Sequence, residues 1–268
     1  MKNKVVIVTG ASSGIGLATV KEFARLGSKV VMAARNYEKL YVIEKELKSQ
    51  GYEALAVRTD VCKTEDCENL ILQAVKTYGG IDILVNNAGI SMRALFTDLD
   101  MQVMHQLMNV NFWGTVYCTK YALPYLIKAK GSLIGISSIA GFHGLPGRSG
   151  YSASKFAMHG FLETIRIENL KKGLHVMILS AGFTKSEIRK NALTANGNPQ
   201  GFTPRDENKM MLPEEVAKEL IRAIRKKKRN KILTLEGQLT ALFQRIIPHV
   251  VDRVAYNKMA KEPESPLP

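Results

Sequence analysis

Three side chains in one stretch, Ser138, Tyr151 and Lys155, are of types that together could move a proton. Tyr151 and Lys155 are four residues apart, and on a helix that spacing stacks them on one face. A fixed ammonium favours phenolate over phenol and would draw the tyrosine pKa down from about 10 toward working pH. Such a phenol can give a proton to a carbonyl or take one from an alcohol. Ser138 reaches the same oxygen if the chain returns it to the start of that helix. An ordinary helical pair has the same spacing, so the trio gains meaning only from the elements that would hold it.

Those elements alternate. Residues 4–9 read as a short β-branched strand, and Thr9-Gly-Ala-Ser-Ser-Gly14-Ile-Gly16 follows directly. An amphipathic helix over 17–26 comes next, closed by Gly27. In a strand–turn–helix setting, glycines let backbone N–H groups approach a pyrophosphate at the helix N-terminus. A second strand, 28–34, ends at Arg35 and Asn36. A cofactor with a free ribose 2′-hydroxyl calls for an acid near that point. The guanidinium found there instead suits a 2′-phosphate.

Helix 36–50, strand 53–58, helix 64–78 and strand 81–86 keep the rhythm of a parallel sheet. Asp60 and Val61 follow the third strand, where a doubly wound fold places ligand contacts. A long helical pattern covers 98–128, a fifth strand ends at Ser138, and a helix runs over 151–171. A sixth strand, 175–180, leads into Ala181-Gly-Phe-Thr-Lys-Ser186. Residues 189–211 lose periodicity and read as a mobile lid or a disordered segment. A helix over 213–228 and a strand over 232–235 follow. The lone His143 reads as a loop-surface residue. The expected architecture is α/β: one doubly wound parallel sheet of about seven strands with helices on both faces. A single domain over 1–236 would include a substrate loop at 184–212, and 237–268 would form an amphipathic helical extension.

The composition fits that picture: 268 residues, 46% hydrophobic, suffice for one large core. Three cysteines without metal-type spacing point to free thiols and a reducing, cytoplasmic setting, with no metal site. No apolar run reaches the length of a signal peptide core or a membrane span. The net charge of +14 favours anionic partners of any kind. The basic cluster from Arg222 to Lys231 lacks interleaved aromatics, so it reads as a solvated helix end rather than a nucleic-acid surface.

Taken together, the Thr9-to-Gly16 turn, Asn86-Asn-Ala-Gly89, Asn111, Ser138, Tyr151, Lys155 and the Gly182-to-Ser186 segment resemble the short-chain dehydrogenase/reductase family over residues 4–236. Ala34-Arg35 and Ser137-Ser-Ile-Ala-Gly141 resemble its 11β-hydroxysteroid-dehydrogenase-like branch. The resemblance implies a Rossmann-type fold and catalysis by Asn111, Ser138, Tyr151 and Lys155. Tyr151 would be the acid/base, Ser138 would polarise the substrate oxygen, and Lys155 would bind the nicotinamide ribose and lower the Tyr151 pKa. Asn111 would hold a relay water. The cofactor would lie on Gly10, Ser12, Ser13, Gly14, Ile15, Gly16, Arg35, Asn36, Asp60, Val61, Asn87, Ala88, Gly89, Phe183, Thr184 and Ser186, besides Tyr151 and Lys155.

Two positions depart from the family's pattern. Ala181 stands where a proline is usual, and Ser13 where many NADP-dependent members carry a basic residue. The implied activity is NADP(H)-dependent interconversion of a ketone and a secondary alcohol, with NAD the lesser cofactor. Phe142, Leu145, Pro146, Met92, Phe183, Leu193, Phe202 and Met210 near the cleft suggest an apolar or lipid-like substrate. A non-catalytic dinucleotide-binding scaffold on the same fold is the alternative. The family pattern also implies a homodimer or homotetramer through the helices near 98–128 and 151–171. Leu239, Leu242, Phe243, Ile246, Ile247, Val250, Val251 and Val254 recur at helical spacing. Pro248 should split this stripe, which would cover protein or, over 237–258, meet a membrane surface peripherally.

Overall fold

The computed structural model describes residues 1–267. Seven strands form one sheet: β1 (Val5–Thr9), β2 (Lys29–Ala34), β3 (Ala54–Arg58), β4 (Ile83–Asn86), β5 (Ser132–Ser138), β6 (His175–Ala181) and β7 (Asn230–Ile232). Their order is β3-β2-β1-β4-β5-β6-β7, and each neighbouring pair runs parallel. The strands read as near-continuous apolar runs because both sheet faces are covered. On one face lie α1 (Gly14–Arg25), α2 (Tyr37–Ser49) and α7 (Pro213–Arg225). They build a core around Phe23, Leu40, Met177 and Leu220. On the other lie α3 (Thr64–Tyr78), α5 (Gly114–Lys128) and α6 (Ser149–Glu168), packed through Leu70, Leu126 and Leu162. The seven-stranded, two-faced Rossmann-type expectation holds.

The strand order reverses between β1 and β4, so loops at the strand C-termini diverge there and leave a crevice. The long helical pattern before β5 is a rod in three parts: α4 (Met101–Met108), a π-turn at Asn109–Trp113, and α5. β7 lies earlier than the apolar pattern suggested. Thr234 caps α8 (Leu235–Phe243) through a hydrogen bond from the Gly237 N–H to its hydroxyl, 3.2 Å, which turns the chain out of the sheet after Leu233, whose N–H still donates to the Ser180 carbonyl at 3.1 Å. α9 (Pro248–Ala260) begins with Pro248 in its first turn, the predicted break. Most of the tail stripe lies open: Leu239, Leu242, Phe243, Ile246, Val250 and Val254 are exposed, and only Val251 is buried. Among the described residues, no helix is long and apolar enough to cross a membrane.

Residues 189–211 carry little regular structure yet are tied down. The Arg189 guanidinium donates to the Thr184 carbonyl (2.9 Å) and to the Thr203 hydroxyl (3.1 Å). It also pairs with Glu207 at 3.4 Å. Leu193 bridges to Met92 and to Pro199. Backbone hydrogen bonds such as Gln200 N–H to the Ala192 carbonyl (2.8 Å) and Gly201 N–H to the Lys190 carbonyl (2.8 Å) close the segment on itself.

Candidate active site

The crevice has a volume of about 1410 Å³ and extends from the first glycine turn to the C-terminal tail. At one end α1 starts at Gly14 rather than at 17, so Gly14, Ile15 and Gly16 form its first turn. The Ser13 side chain makes no capping bond, and the turn holds no acid. Its N–H groups are therefore available to an anion. A Cβ on Gly16 would lie 2.3 Å from the Gly10 carbonyl oxygen and 2.6 Å from the Asn87 amide nitrogen. Only glycine fits there. Gly10 itself has φ +64°, in the left-handed region. The Asn87 amide donates to the carbonyls of Thr9 (2.8 Å) and Gly10 (3.2 Å), locking the turn to the end of β4. Asn87 thus stiffens this floor, while its backbone and Ala88 and Gly89 line the crevice.

Ser12, Ser13, Arg35, Asn36, Asp60 and Val61 line the same end. Arg35 makes no ion pair among the described residues, so its guanidinium is left for a ligand. The Asn36 side-chain oxygen is spent on capping α2, accepting from the Lys39 N–H at 2.8 Å. Asp60 accepts from the Cys62 N–H at 3.1 Å, which closes the loop after β3. A dinucleotide fits this donor set: a glycine cradle at a helix N-terminus, then an open cation one strand away.

At the sheet's centre the predicted trio converges. Ser138 ends β5, and α6 carries Tyr151 and Lys155 back over it. The Ser138 hydroxyl hydrogen-bonds the Tyr151 phenol and also accepts from the Ala140 N–H at 3.3 Å. The Lys155 ammonium donates to the Ile136 carbonyl (2.9 Å) and lies 5.8 Å from the Tyr151 ring centre. A Cβ on Gly89 would lie 3.6 Å from it. Asn111 sits in the π-turn, fully buried, accepting from the Ile90 N–H (2.8 Å). It donates to the Ile90 carbonyl (3.0 Å) and to Ser154 Oγ (2.9 Å). Its side chain is committed to positioning the loop after β4 and the first turns of α6.

The electrostatics differ from the expectation that Lys155 lowers the tyrosine pKa. Burial raises the Tyr151 pKa, against smaller lowering from Ser138 and Arg148. Burial also pushes the Lys155 ammonium down to about 8. Desolvation dominates at both groups. In this state Tyr151 holds its proton at neutral pH, which suits a proton donor.

These features place the chain in a family, and comparison with known proteins agrees. The short chain dehydrogenase model matches residues 4–197. The chain belongs to the short-chain dehydrogenase/reductase family. It is 31% identical to the Danio rerio Dehydrogenase/reductase SDR family member 7B over 98% of this chain and 87% of that protein. With the 11-beta-hydroxysteroid dehydrogenase-like 4A of Arabidopsis thaliana it shares 36% over 84% of this chain and 73% of the relative. Among solved structures, an alcohol dehydrogenase from the archaeon Thermococcus sibiricus, complexed with 5-hydroxy-NADP, superimposes with a TM-score of 0.74 at 28% identity. It covers 87% of this chain and 96% of its own. Membership makes the chain an oxidoreductase of the type that acts on CH–OH groups with a nicotinamide dinucleotide.

The segment after β6 also lines the crevice with Phe183, Thr184 and Ser186. A Cβ on Gly182 would come within 2.2 Å of Thr234, so that turn is fixed by packing without the usual proline. Phe183 is half-open, with the Arg205 guanidinium 3.7 Å above its ring. Of the apolar residues expected at the cleft, Leu145, Phe183 and Leu193 line it. Met92 is buried beneath Gly150, Phe142 packs on His159, and Phe202 lies under Arg93. His143 is not a surface residue: it is buried, both ring nitrogens lack hydrogen bonds, and Asp252 of α9 stands 3.9 Å away. Sequence reading also missed Arg148, Arg205 and Glu262, which line the substrate end. Arg148 could have been suspected, lying one helical turn before Tyr151. Nothing local joins Arg205 to Glu262.

Proposed function

We propose that the chain is an NADP(H)-dependent oxidoreductase that interconverts a ketone and a secondary alcohol on an apolar, lipid-like substrate. The observation that carries this reading is the Tyr151 phenol, hydrogen-bonded to Ser138 beside buried Lys155, lining a crevice that begins in a glycine cradle. The nicotinamide cofactor supplies the hydride. The rest is done by the chain. Ser138 and Tyr151 converge on one substrate oxygen, and Tyr151 Oη gives it a proton in reduction or takes one in oxidation. Lys155 fixes the ring's neighbourhood through Ile136 and faces the ribose position by Gly89. Asn111 holds the loop that closes this corner. Gly10, Gly14 and Gly16 admit the pyrophosphate, and Arg35 takes the 2′-phosphate.

The preference for NADP(H) is supported by the unpaired Arg35 and by the 5-hydroxy-NADP complex of the Thermococcus sibiricus enzyme. The test is incubation with NADP+ or NAD+ and a panel of secondary alcohols, following absorbance of the reduced cofactor. Turnover with NADP+ in excess of NAD+ is expected. Cofactor binding without turnover of any alcohol or ketone would indicate a scaffold instead.

A further inference from the structure

The substrate end of the crevice holds more buried positive charge than the proposed ketone chemistry uses. Arg148 precedes α6 by one residue, Arg205 comes from the segment before α7, and Arg93 from the loop after β4. All three converge on Glu262, just beyond α9. Arg93 Nε lies 3.7 Å and Arg148 Nη2 3.8 Å from its carboxylate, and Arg205 pairs with it directly. The side chains are largely buried: exposure is 4% for Arg93, 13% for Arg148, 18% for Arg205 and 5% for Glu262. Three guanidinium groups thus face one carboxylate, with exposed Glu264 adding a weaker field at Arg93. Burying uncompensated cations is costly, so such clusters are retained where an anion completes them.

The cluster is also poorly satisfied. Arg93 Nε has no hydrogen bond among the described residues, and Arg93 and Arg148 reach the Glu262 carboxylate only at ion-pair distance, whereas Arg205 contacts it directly. The rest of Arg93 is anchored on the Pro263 carbonyl, and Arg148 on the Gly147 carbonyl. A guanidinium fork prefers two-pronged oxyanion contacts at hydrogen-bond distance, and a single carboxylate held directly by Arg205 leaves Arg93 and Arg148 without them. Arg148, Arg205 and Glu262 line the crevice alongside Tyr151, and Arg148 is close enough to perturb the phenol. Burial itself drives the Arg148 pKa down to about 10, as expected of a cation short of partners.

We propose that Arg148 and Arg205, backed by Arg93, form an oxyanion subsite beside Tyr151. Glu262 of the chain's own tail fills it until a substrate bearing a carboxylate or phosphate group a few bonds from its carbonyl displaces it. The subsite rests on the proposed ketone/alcohol reaction for its substrate's carbonyl, but its anion binding can be measured without turnover. Decanoate, decyl phosphate and decanol are titrated calorimetrically into the full chain, and into Arg205→Gln, Arg148→Gln and Glu262→Gln variants. Both anions should bind at least about tenfold tighter than decanol, as charge-assisted contacts imply. The tighter of the two identifies the substrate's acidic group. Either arginine variant should erase the preference, and Glu262→Gln should strengthen anion binding several-fold by removing the competitor. Equal binding of decanol and both anions, or a preference that survives both arginine substitutions, overturns the subsite. In a second arm, a γ-keto decanoate and its methyl ester are offered with NADPH. Anion binding without consumption of either ketone refutes the proposed reaction and leaves the subsite standing. Consumption of the ester without anion binding does the reverse.

Discussion

Replacing Lys155 by methionine should abolish turnover yet favour the folded state at neutral pH, by an amount that shrinks as pH rises. Lys155 is buried, and burial brings its ammonium from the ordinary 10.5 to about 8. At about 1.4 kcal/mol per pH unit, keeping that charge folded below its pKa costs roughly 3 kcal/mol. The same ammonium donates to the Ile136 carbonyl at 2.9 Å. Methionine leaves that carbonyl unpaired, at about 1–3 kcal/mol, so the net gain at neutral pH is roughly 0–2 kcal/mol. The pH dependence does not involve that loss. Between about pH 8 and 10.5 the unfolded chain binds the lysine proton and the folded one releases it, so wild-type stability climbs with pH. From about pH 7 to about pH 9 the wild type should gain about 1.3 kcal/mol on Lys155→Met. Denaturant unfolding of both proteins across that range measures the difference, with all other titrations cancelling. A flat difference, or a wild type that loses ground as pH rises, would refute the claim that desolvation governs this lysine.

Tyr151→Phe keeps the ring and removes the proton, so turnover should drop by about 10²–10⁴-fold with an unchanged melting profile. Near-normal rates would sink the acid/base assignment. Arg35→Ala should weaken NADPH relative to NADH by about tenfold or more, read by cofactor fluorescence titration, since a hydrogen bond to a charged group is worth about 1.5–3 kcal/mol. Trp113, Phe156, Ile167 and Leu170 leave apolar surface open on the π-turn before α5, on α6 and on the turn after α6, so sedimentation should give a dimer or tetramer mass; a monomer at micromolar concentration counts against it. The open stripe on α8 and α9, flanked by Arg245 and Arg253, should carry the full chain down with anionic liposomes at low salt. Protein that stays in the supernatant, or a chain ending at Glu236 that pellets equally well, would argue against a membrane contact.

The sheet was legible because most strands are short apolar runs bounded by glycine or polar turns, a pattern that parallel burial enforces. The trio and the glycine cradle were legible because their spacing is local: four residues on one helix, eight in one turn. What escaped depends on distance or desolvation. Arg205 meets Glu262 across 57 positions, and no periodicity encodes that pairing. His143 was misjudged because α9 folds over it, which its own loop does not announce. The tyrosine pKa went the wrong way because pairing with lysine is visible in sequence and burial is not. Tail exposure was the reverse case. A perfect helical stripe does not say whether anything covers it.

The π-turn at Asn109–Trp113 amounts to one extra residue wound into an otherwise regular rod. Deleting one residue there would restore ideal helical hydrogen bonding. It would also turn everything N-terminal to the deletion by about 100° relative to α5. Asn111 would then lose Ile90 and Ser154 together. A redesign that scored this rod on helix regularity alone would remove the defect, yielding a protein easier to fold and without the loop geometry that its chemistry needs. The irregularity is therefore a sequence-length constraint: a substitution in this turn changes one side chain, whereas an insertion or deletion moves Asn111 and everything before it out of register.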